Sequence, residues 1–463
     1  MDSIDNIKSS TNQDVPDKLN VTGQLIIIGN GFDLQCKLKS SYLDFYEDRY
    51  KGSIQQKLFE INAGTDLKTE FHSLDGSLNI WDYILNGYFE VKNDKNPVKQ
   101  WSSIEEIIEL VINNHVAKDM FDISEKEDPF YFFSDLTERI CSFDPSTDTP
   151  KGKYAKDGDT KMYFNFLESL AHIVFTFSPE IKSKIKSKDN TYPVKKFFLD
   201  ELKKFEKSFS NYLREKYNEA SSNPSINYLG NSSELMETLI GTDLQLGENE
   251  KLANSILSFN YTTPFHLRDT RQSIYCLRNV HGLININHPD KSEIIFGIDS
   301  ENIEKNKKDD EKEEQKEDRT GFTKTFRTLF LNSNRIETNI FDYPVKIIKV
   351  YGHSLDEGDY SYFQSIFDAV DLYNNKAVYI YFYYSAYAKT EKENEELKYA
   401  YFKKVAHLFE EYGTTIDNPY HGRNMLHRLI LENRIHIKEI SSTQPDATWS
   451  KYSDKLIKEH ISF

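Results

Sequence analysis

Apolar and polar positions follow two rhythms along the chain, and the change falls near Leu252. Residues 25–28 read LIII and run into Gly-Asn-Gly. A short apolar run closed by glycines predicts a strand buried on both faces, leading into a turn that another group approaches closely. A helix is expected over 41–50. From 55 to 250 the apolar positions recur at helical spacing. In WSSIEEIIELVINN (101–114) they fall at 101, 104, 107, 108 and 111. In VKKFFLDELKKFEKSFSNYLREKY (194–217) they fall at 194, 197, 198, 202, 205, 209, 212 and 213. Such stripes predict amphipathic helices that pack one face inward. The stretch 142–159, rich in Ser, Pro, Gly and Asp, predicts a loop.

Beyond Leu252, short β-like runs alternate with helices. Strands are expected at 255–261, 273–282, 293–299, 345–354, 377–384 and 434–440, with helices at 360–373 and 391–412. Near-continuous apolar strands separated by helices predict an α/β fold: a mostly parallel, doubly wound sheet covered on both faces. The expected organisation is a disordered leader (1–21), a core built from 22–54 and 251–463, and a large, mainly helical insertion (55–250). A charged, mobile loop is expected at 300–320, where the run 301–319 mixes both signs and has Ile303 as its one apolar residue.

Composition narrows the function classes. A chain of 463 residues with 38% hydrophobic and 14% aromatic residues can fill a sizeable core. The net charge of −16 disfavours a nucleic-acid partner. The three cysteines, Cys36, Cys141 and Cys276, include no CxxC pair, so neither a structural zinc site nor a disulfide framework is indicated. The first twenty residues lack a secretory apolar core. The longest apolar stretch, 377–388, is too short and too tyrosine-rich to span a bilayer. A cytoplasmic protein without a membrane partner is the expectation.

Doubly wound sheets bind ligands at the carboxyl ends of their strands, and four predicted strand ends carry unusual polar residues. Gly29-Asn30-Gly31-Phe32-Asp33 could admit a phosphate or ribose to backbone amides, with Asp33 on a ribose hydroxyl or capping the next helix. Asn260 and Thr262 follow the second strand, where an amide side chain suits a water or another amide, or simply a turn. His281, before Gly282, is a general-base candidate or a structural histidine. Gly352-His353-Ser354, with Asp356 and Asp359 beyond, could contact phosphate, or the aspartates could cap a helix. A parallel sheet brings these four turns onto one rim, which favours a nucleotide-like pocket.

The segments IIIGNGFDLQCKLKSSYLDF, WSSIE, ILSFNYT, VHG, IIFGID and VYGHSLDEGDYSYF, in this order over about 25–384, resemble the bacteriophage abortive infection AbiH family. AbiH proteins look in turn like distant relatives of the SIR2 group, which implies a Rossmann-like, SIR2-like core. That resemblance implies NAD binding at Gly29 and Gly31, chemistry at Asn260 and His281, and dinucleotide contacts at Gly352 and Ser354. This sequence departs from the SIR2 pattern in Asn30, where Ala is usual, and in Thr262, where Asp is usual. It also lacks the paired cysteines of the sirtuin zinc module, which argues against protein deacylation.

The expected function is therefore phage defence by abortive infection, through binding and hydrolysis of NAD or a related nucleotide by a possible NAD glycohydrolase. Asn260 and His281 are the expected catalytic pair. Gly29, Asn30, Gly31, Phe32, Asp33, Thr262, Gly352, His353, Ser354 and Asp359 are the expected nucleotide-binding residues. No cofactor or metal is required, with NAD as substrate or ligand. A phage-derived trigger, a defence-system partner and a homo-oligomer are the candidate partners. The alternatives are a non-catalytic nucleotide-sensing or partner-binding module, and a metal-dependent nuclease or phosphohydrolase using Asp33, Asp356 and Asp359.

Overall fold

A computed structural model describes residues 21–50, 79, 81, 82, 85, 104, 105, 107–109, 194–244, 251–263, 274–299, 320–332, 339–385, 390–416 and 422–440. Six strands make one sheet: β1 (Val21–Ile28), β2 (Lys251–Ser258), β3 (Ile274–Asn279), β6 (Val345–Tyr351), β7 (Tyr379–Tyr384) and β8 (Ile435–Glu439). Their order is β3-β2-β1-β6-β7-β8, and every pairing is parallel. The chain builds outward from β1 to β3, then crosses back to start β6 on the other side of β1. That reversal is the topological switch point of a doubly wound, Rossmann-like α/β sheet. A separate pair, β4 (Gly282–Leu283) and β5 (Glu293–Ile294), is antiparallel.

Alternation within the apolar runs explains the layers. Leu25 and Ile27 join one buried cluster with Leu257, Ile348, Val350, Ile380 and Phe382. Helices α6 (Tyr360–Ala369), α7 (Glu391–Thr414) and α8 (Met425–Leu431) cover that face with Phe363, Phe367, Leu408, Phe409 and Leu429. Ile26 and Ile28 point the other way, into a cluster with Ile256, Tyr351 and Tyr383. There the cover is α1 (Asn30–Gln35) and α4 (Tyr228–Gly241), through Phe32, Cys36, Tyr228, Met236 and Leu239. Each such side chain taken out of water contributes about 1.5–3 kcal/mol, which is why these strands read as continuous hydrophobic runs.

The long helix α3 (Val194–Ser222) buries Phe198, Leu202, Phe205, Phe209, Tyr212 and Leu213, six of the positions its spacing singles out. Its aromatic stripe meets Phe45 of α2 (Tyr42–Arg49), with ring centroids 5.0 Å apart at Phe45 and Phe209. It also meets Phe296 and Tyr261, the latter at the foot of the candidate site. Ser41 starts α2 with a capping box shared with Asp44.

Three expectations change. The stretch 293–299 is not a strand of the main sheet: Glu293 and Ile294 pair with β4, and Ile298 makes an isolated parallel bridge to Thr323. Its remaining backbone is committed elsewhere, because Ile295 N donates to His281 O (2.9 Å), Ile298 N to Phe322 O (3.1 Å), and Ile298 O accepts from Lys324 N (2.9 Å). The glycine turn after β1 is the first turn of α1, which begins at Asn30. Val21, expected in the leader, belongs to β1. The rest of that leader, the loop 142–159, the charged run 301–319 and much of 55–250 lie outside the described residues. Among the described residues, no helix is long and apolar enough to cross a membrane.

Candidate functional site

The four strands whose ends carry the polar turns are neighbours, and they end level: Ile28 pairs with Ser258 and with Tyr351, and Ser258 pairs with Asn279. Backbone bonds stitch the turns together just beyond the strands. Phe259 N donates to Ile28 O (2.8 Å), Gly29 N to Tyr351 O (3.1 Å) and Val280 N to Ser258 O (2.8 Å). The rim sits at the switch point between β1 and β6, where doubly wound sheets open a crevice.

The glycines serve this stitching. A Cβ on Gly29 would fall 2.6 Å from His353 Cα, and one on Gly31 would fall 2.7 Å from Gly352 Cα. Gly31 N donates to Gly352 O at 2.8 Å, and Gly352 itself sits at φ +67°. The two glycine turns are thus packed backbone against backbone, and the Gly31 amide is engaged within the protein. Phe32 is fully buried, edge-on to Tyr351 at 6.2 Å. The Asn30 side chain accepts from Ser40 Oγ (2.6 Å). Ser354 is exposed, and its carbonyl accepts from Lys404 Nζ (3.1 Å).

Two polar clusters line the rim. In the first, Asp33 is buried and accepts from Tyr228 OH (2.8 Å) and Thr262 Oγ1 (2.5 Å). Burial pushes its carboxyl up to about 6, against the pull of the Thr262 and Tyr228 hydroxyls and the nearby Asn260 amide. Asn279 Nδ2 holds the loop by donating to the carbonyls of Asn260 (2.8 Å) and Thr262 (3.0 Å). Asn260 is only 3% exposed; its amide acts on the Asp33 carboxylate, but neither Oδ1 nor Nδ2 reaches well-formed hydrogen-bond geometry.

The second cluster centres on His281 and Asp359. His281 Nε2 lies 3.5 Å from Asp359 Oδ1, without a hydrogen bond, and His353 Nε2 lies 3.5 Å from Asp359 Oδ2. His353 Nδ1 accepts from Leu355 N at 2.9 Å, so its ring proton sits on Nε2, toward the carboxylate. Lys324, at the start of α5 (Lys324–Asn332), reaches Asp359 Oδ1 (2.8 Å), Glu105 Oε1 (2.7 Å) and Gly358 O (3.3 Å). Burial opposes the charge on Asp359, but the Lys324 ammonium, with His353 and His281, holds its carboxyl well below the usual range. Glu105 goes the other way: burial, with Asp359 beside it, raises its carboxyl although Lys324 is in contact. Burial and then the Lys324 charge push the His281 imidazolium down to about 3, against the opposing effect of Asp359, so His281 is neutral at physiological pH.

Neither Asp356 nor Asp359 makes a side-chain cap at its helix. Asp356 instead accepts from Lys404 (3.0 Å). Sequence reasoning missed Lys324, Glu105 and Tyr228 as members of the site. Glu105 falls inside the quoted WSSIE segment, which was a signal; Lys324, in GFTKTF, carried none. It is placed by Gly297, where a Cβ would fall 2.8 Å from Phe322 O and 3.0 Å from Lys324 N.

The chain matches the family described as bacteriophage abortive infection AbiH over residues 25–383. It belongs to the AbiH family. Membership places this AbiH protein in phage abortive infection. No curated protein and no solved structure matches the chain. In this AbiH protein the three aspartates that could have shared a metal do not converge. Asp33 is held by Tyr228 and Thr262, Asp356 by Lys404, and Asp359 by Lys324. What the rim offers is the buried Asn260 amide after β2 and a neutral imidazole after β3, the latter with a carboxylate and an ammonium behind it. That set can orient a polar ligand and accept a proton.

Proposed function

We propose that this AbiH protein acts in abortive infection by binding NAD, or a related nucleotide, and hydrolysing the bond between its nicotinamide and ribose. The observation that carries the reading is Asn260: a buried carboxamide set against the Asp33 carboxylate, whose Oδ1 and Nδ2 make no well-formed hydrogen bond, keeps bonding capacity that a ligand can take up.

The chemistry needs little of the enzyme beyond orientation and a proton acceptor. The C1′–N bond breaks, its electron pair returns to the pyridinium nitrogen, and nicotinamide leaves neutral. Water adds to the oxocarbenium-like C1′, and its proton passes to His281 directly or through a ribose hydroxyl. Asn260 holds the water or the ribose in line. Water bonding to an oxocarbenium centre becomes strongly acidic, so a weakly basic but neutral imidazole is sufficient. The dinucleotide lies across the switch point, with its phosphates toward the Gly29–Gly31 and Gly352–Ser354 turns. The Gly29 and Gly31 amides are already engaged by Tyr351 O and Gly352 O, so in this reading the exposed Ser354 carries that contact.

The test is NAD content in cells carrying wild type or His281→Ala, before and after phage infection. NAD loss with wild type alone supports hydrolysis. Unchanged NAD alongside intact protection overturns it. One observation favours a second reading, a nucleotide-sensing module: Asn30 and Thr262, the departures from the SIR2 pattern, are engaged by Ser40 and Asp33. Tight NAD binding without turnover, with phage lysate added, would select it.

A further inference from the structure

His281 is faced by titratable or charged groups from four parts of the fold. Asp359 and His353 come from the loop after β6, and Lys324 comes from α5 with Glu105 behind it. Tyr261, after β2, and Tyr362, on α6, lie with ring centroids 6.5 and 5.9 Å from the imidazole. Phe259 closes the remaining side at 5.5 Å.

Asp359 is the hub of this group. One oxygen, Oδ2, faces the Nε2–H of His353, while Oδ1 is shared between Lys324 Nζ (2.8 Å) and the approach of His281 Nε2 (3.5 Å). A ring nitrogen lone pair aimed at a carboxylate oxygen would be repelled, so the His281 proton belongs on Nε2. Lys324 is itself fixed at three points, by Glu105, Asp359 and Gly358, and its backbone is fixed by Ile298.

We propose that Lys324 is a positioning residue for His281 that acts through Asp359. It pins the oxygen that faces His281 Nε2, so that the imidazole keeps its proton on Nε2, remains uncharged and presents Nδ1 as the proton acceptor. Without the ammonium, Asp359 would be free to pair with His281 as an ion pair, and an imidazolium cannot take a proton. The proposal rests on His281 being the acceptor in the reaction above, but it is measured on the unliganded protein.

The experiment is ring-carbon and ring-nitrogen NMR of the full chain labelled at histidine, with the His281 signal assigned by its loss in His281→Asn. In wild type, His281 shows no titration between pH 5.5 and 8.5, and its nitrogen shifts report the Nε2–H tautomer. In Lys324→Gln a titration appears inside that range, and Lys324→Arg restores the silent signal. A titrating His281 in wild type, a silent one in Lys324→Gln, or the Nδ1–H tautomer in wild type would each overturn the proposal. The Nδ1–H tautomer or a titrating His281 in wild type overturns the proposal even where Lys324→Gln does not fold. Absence of NAD cleavage with these NMR results intact counts against hydrolysis alone. Where cleavage occurs, its pH profile gains an acid limb in Lys324→Gln that wild type lacks.

Discussion

Asp33 and Thr262 are 229 positions apart in the chain, and Thr262 Oγ1 donates to Asp33 Oδ2 at 2.5 Å in the buried floor of the site. Tyr228 OH donates to the other carboxylate oxygen at 2.8 Å. The group is well bonded and still electrostatically costly, because two hydroxyls replace a full hydration shell. A buried carboxylate with a raised pKa in the first turn of the helix after β1 is what a binding site retains at the expense of stability.

Asp33→Asn makes that expense measurable. The folded-state value of about 6 lies above the ordinary 3.8, so the folded protein binds more protons between these values. Stability therefore falls as pH rises from about 3.8 to about 6, by up to about 3 kcal/mol for such a gap. Urea unfolding at pH 4 and pH 7.5 should show Asp33→Asn gaining on wild type at the higher pH. Equal differences at both pH values would contradict this.

Asn260→Leu keeps the branched shape of the side chain and removes a carboxamide that acts on Asp33 without well-formed hydrogen bonds of its own. In the unliganded protein the relief of two poorly bonded buried atoms is offset by the support lost at Asp33, so thermal unfolding should change little, and the stabilisation that NAD gives to wild type should disappear. A variant that NAD still stabilises as it does wild type would remove Asn260 from the ligand contact.

Gly31→Ala places a methyl group 2.7 Å from Gly352 Cα, backbone against backbone. The two turns must separate, at a cost of about 1–3 kcal/mol. Gly241→Ala, at the end of α4, is the control: nothing lies within 4 Å of its Cβ, and it should be neutral or slightly stabilising. A comparable loss of melting temperature in both variants would refute the close-approach role of Gly31.

Much of the architecture is legible along the chain, for a local reason. LIII at 25–28 can hide its side chains only between two layers, and the aromatic stripe of α3 can bury only one face. The two-residue β5 shows the limit of that reasoning. IIFGID is as apolar as a strand, but its amides and carbonyls are taken by His281, Tyr261, Phe322 and Lys324, none of which is a sequence neighbour.

The sequence by itself determined the parallel α/β sheet, the strand ends that carry Gly29, Asn260, His281 and His353, and the family, because these depend on short-range periodicity and contiguous motifs. The tertiary structure decided what those residues are paired with. Gly29 and Gly31 admit the 352–353 backbone, Thr262 bonds Asp33, and Lys324 joins Glu105 to Asp359 behind His281. The reason is physical: a buried charge must find its partner wherever the packed layers bring one within about 3 Å, and no local pattern encodes which segment that will be.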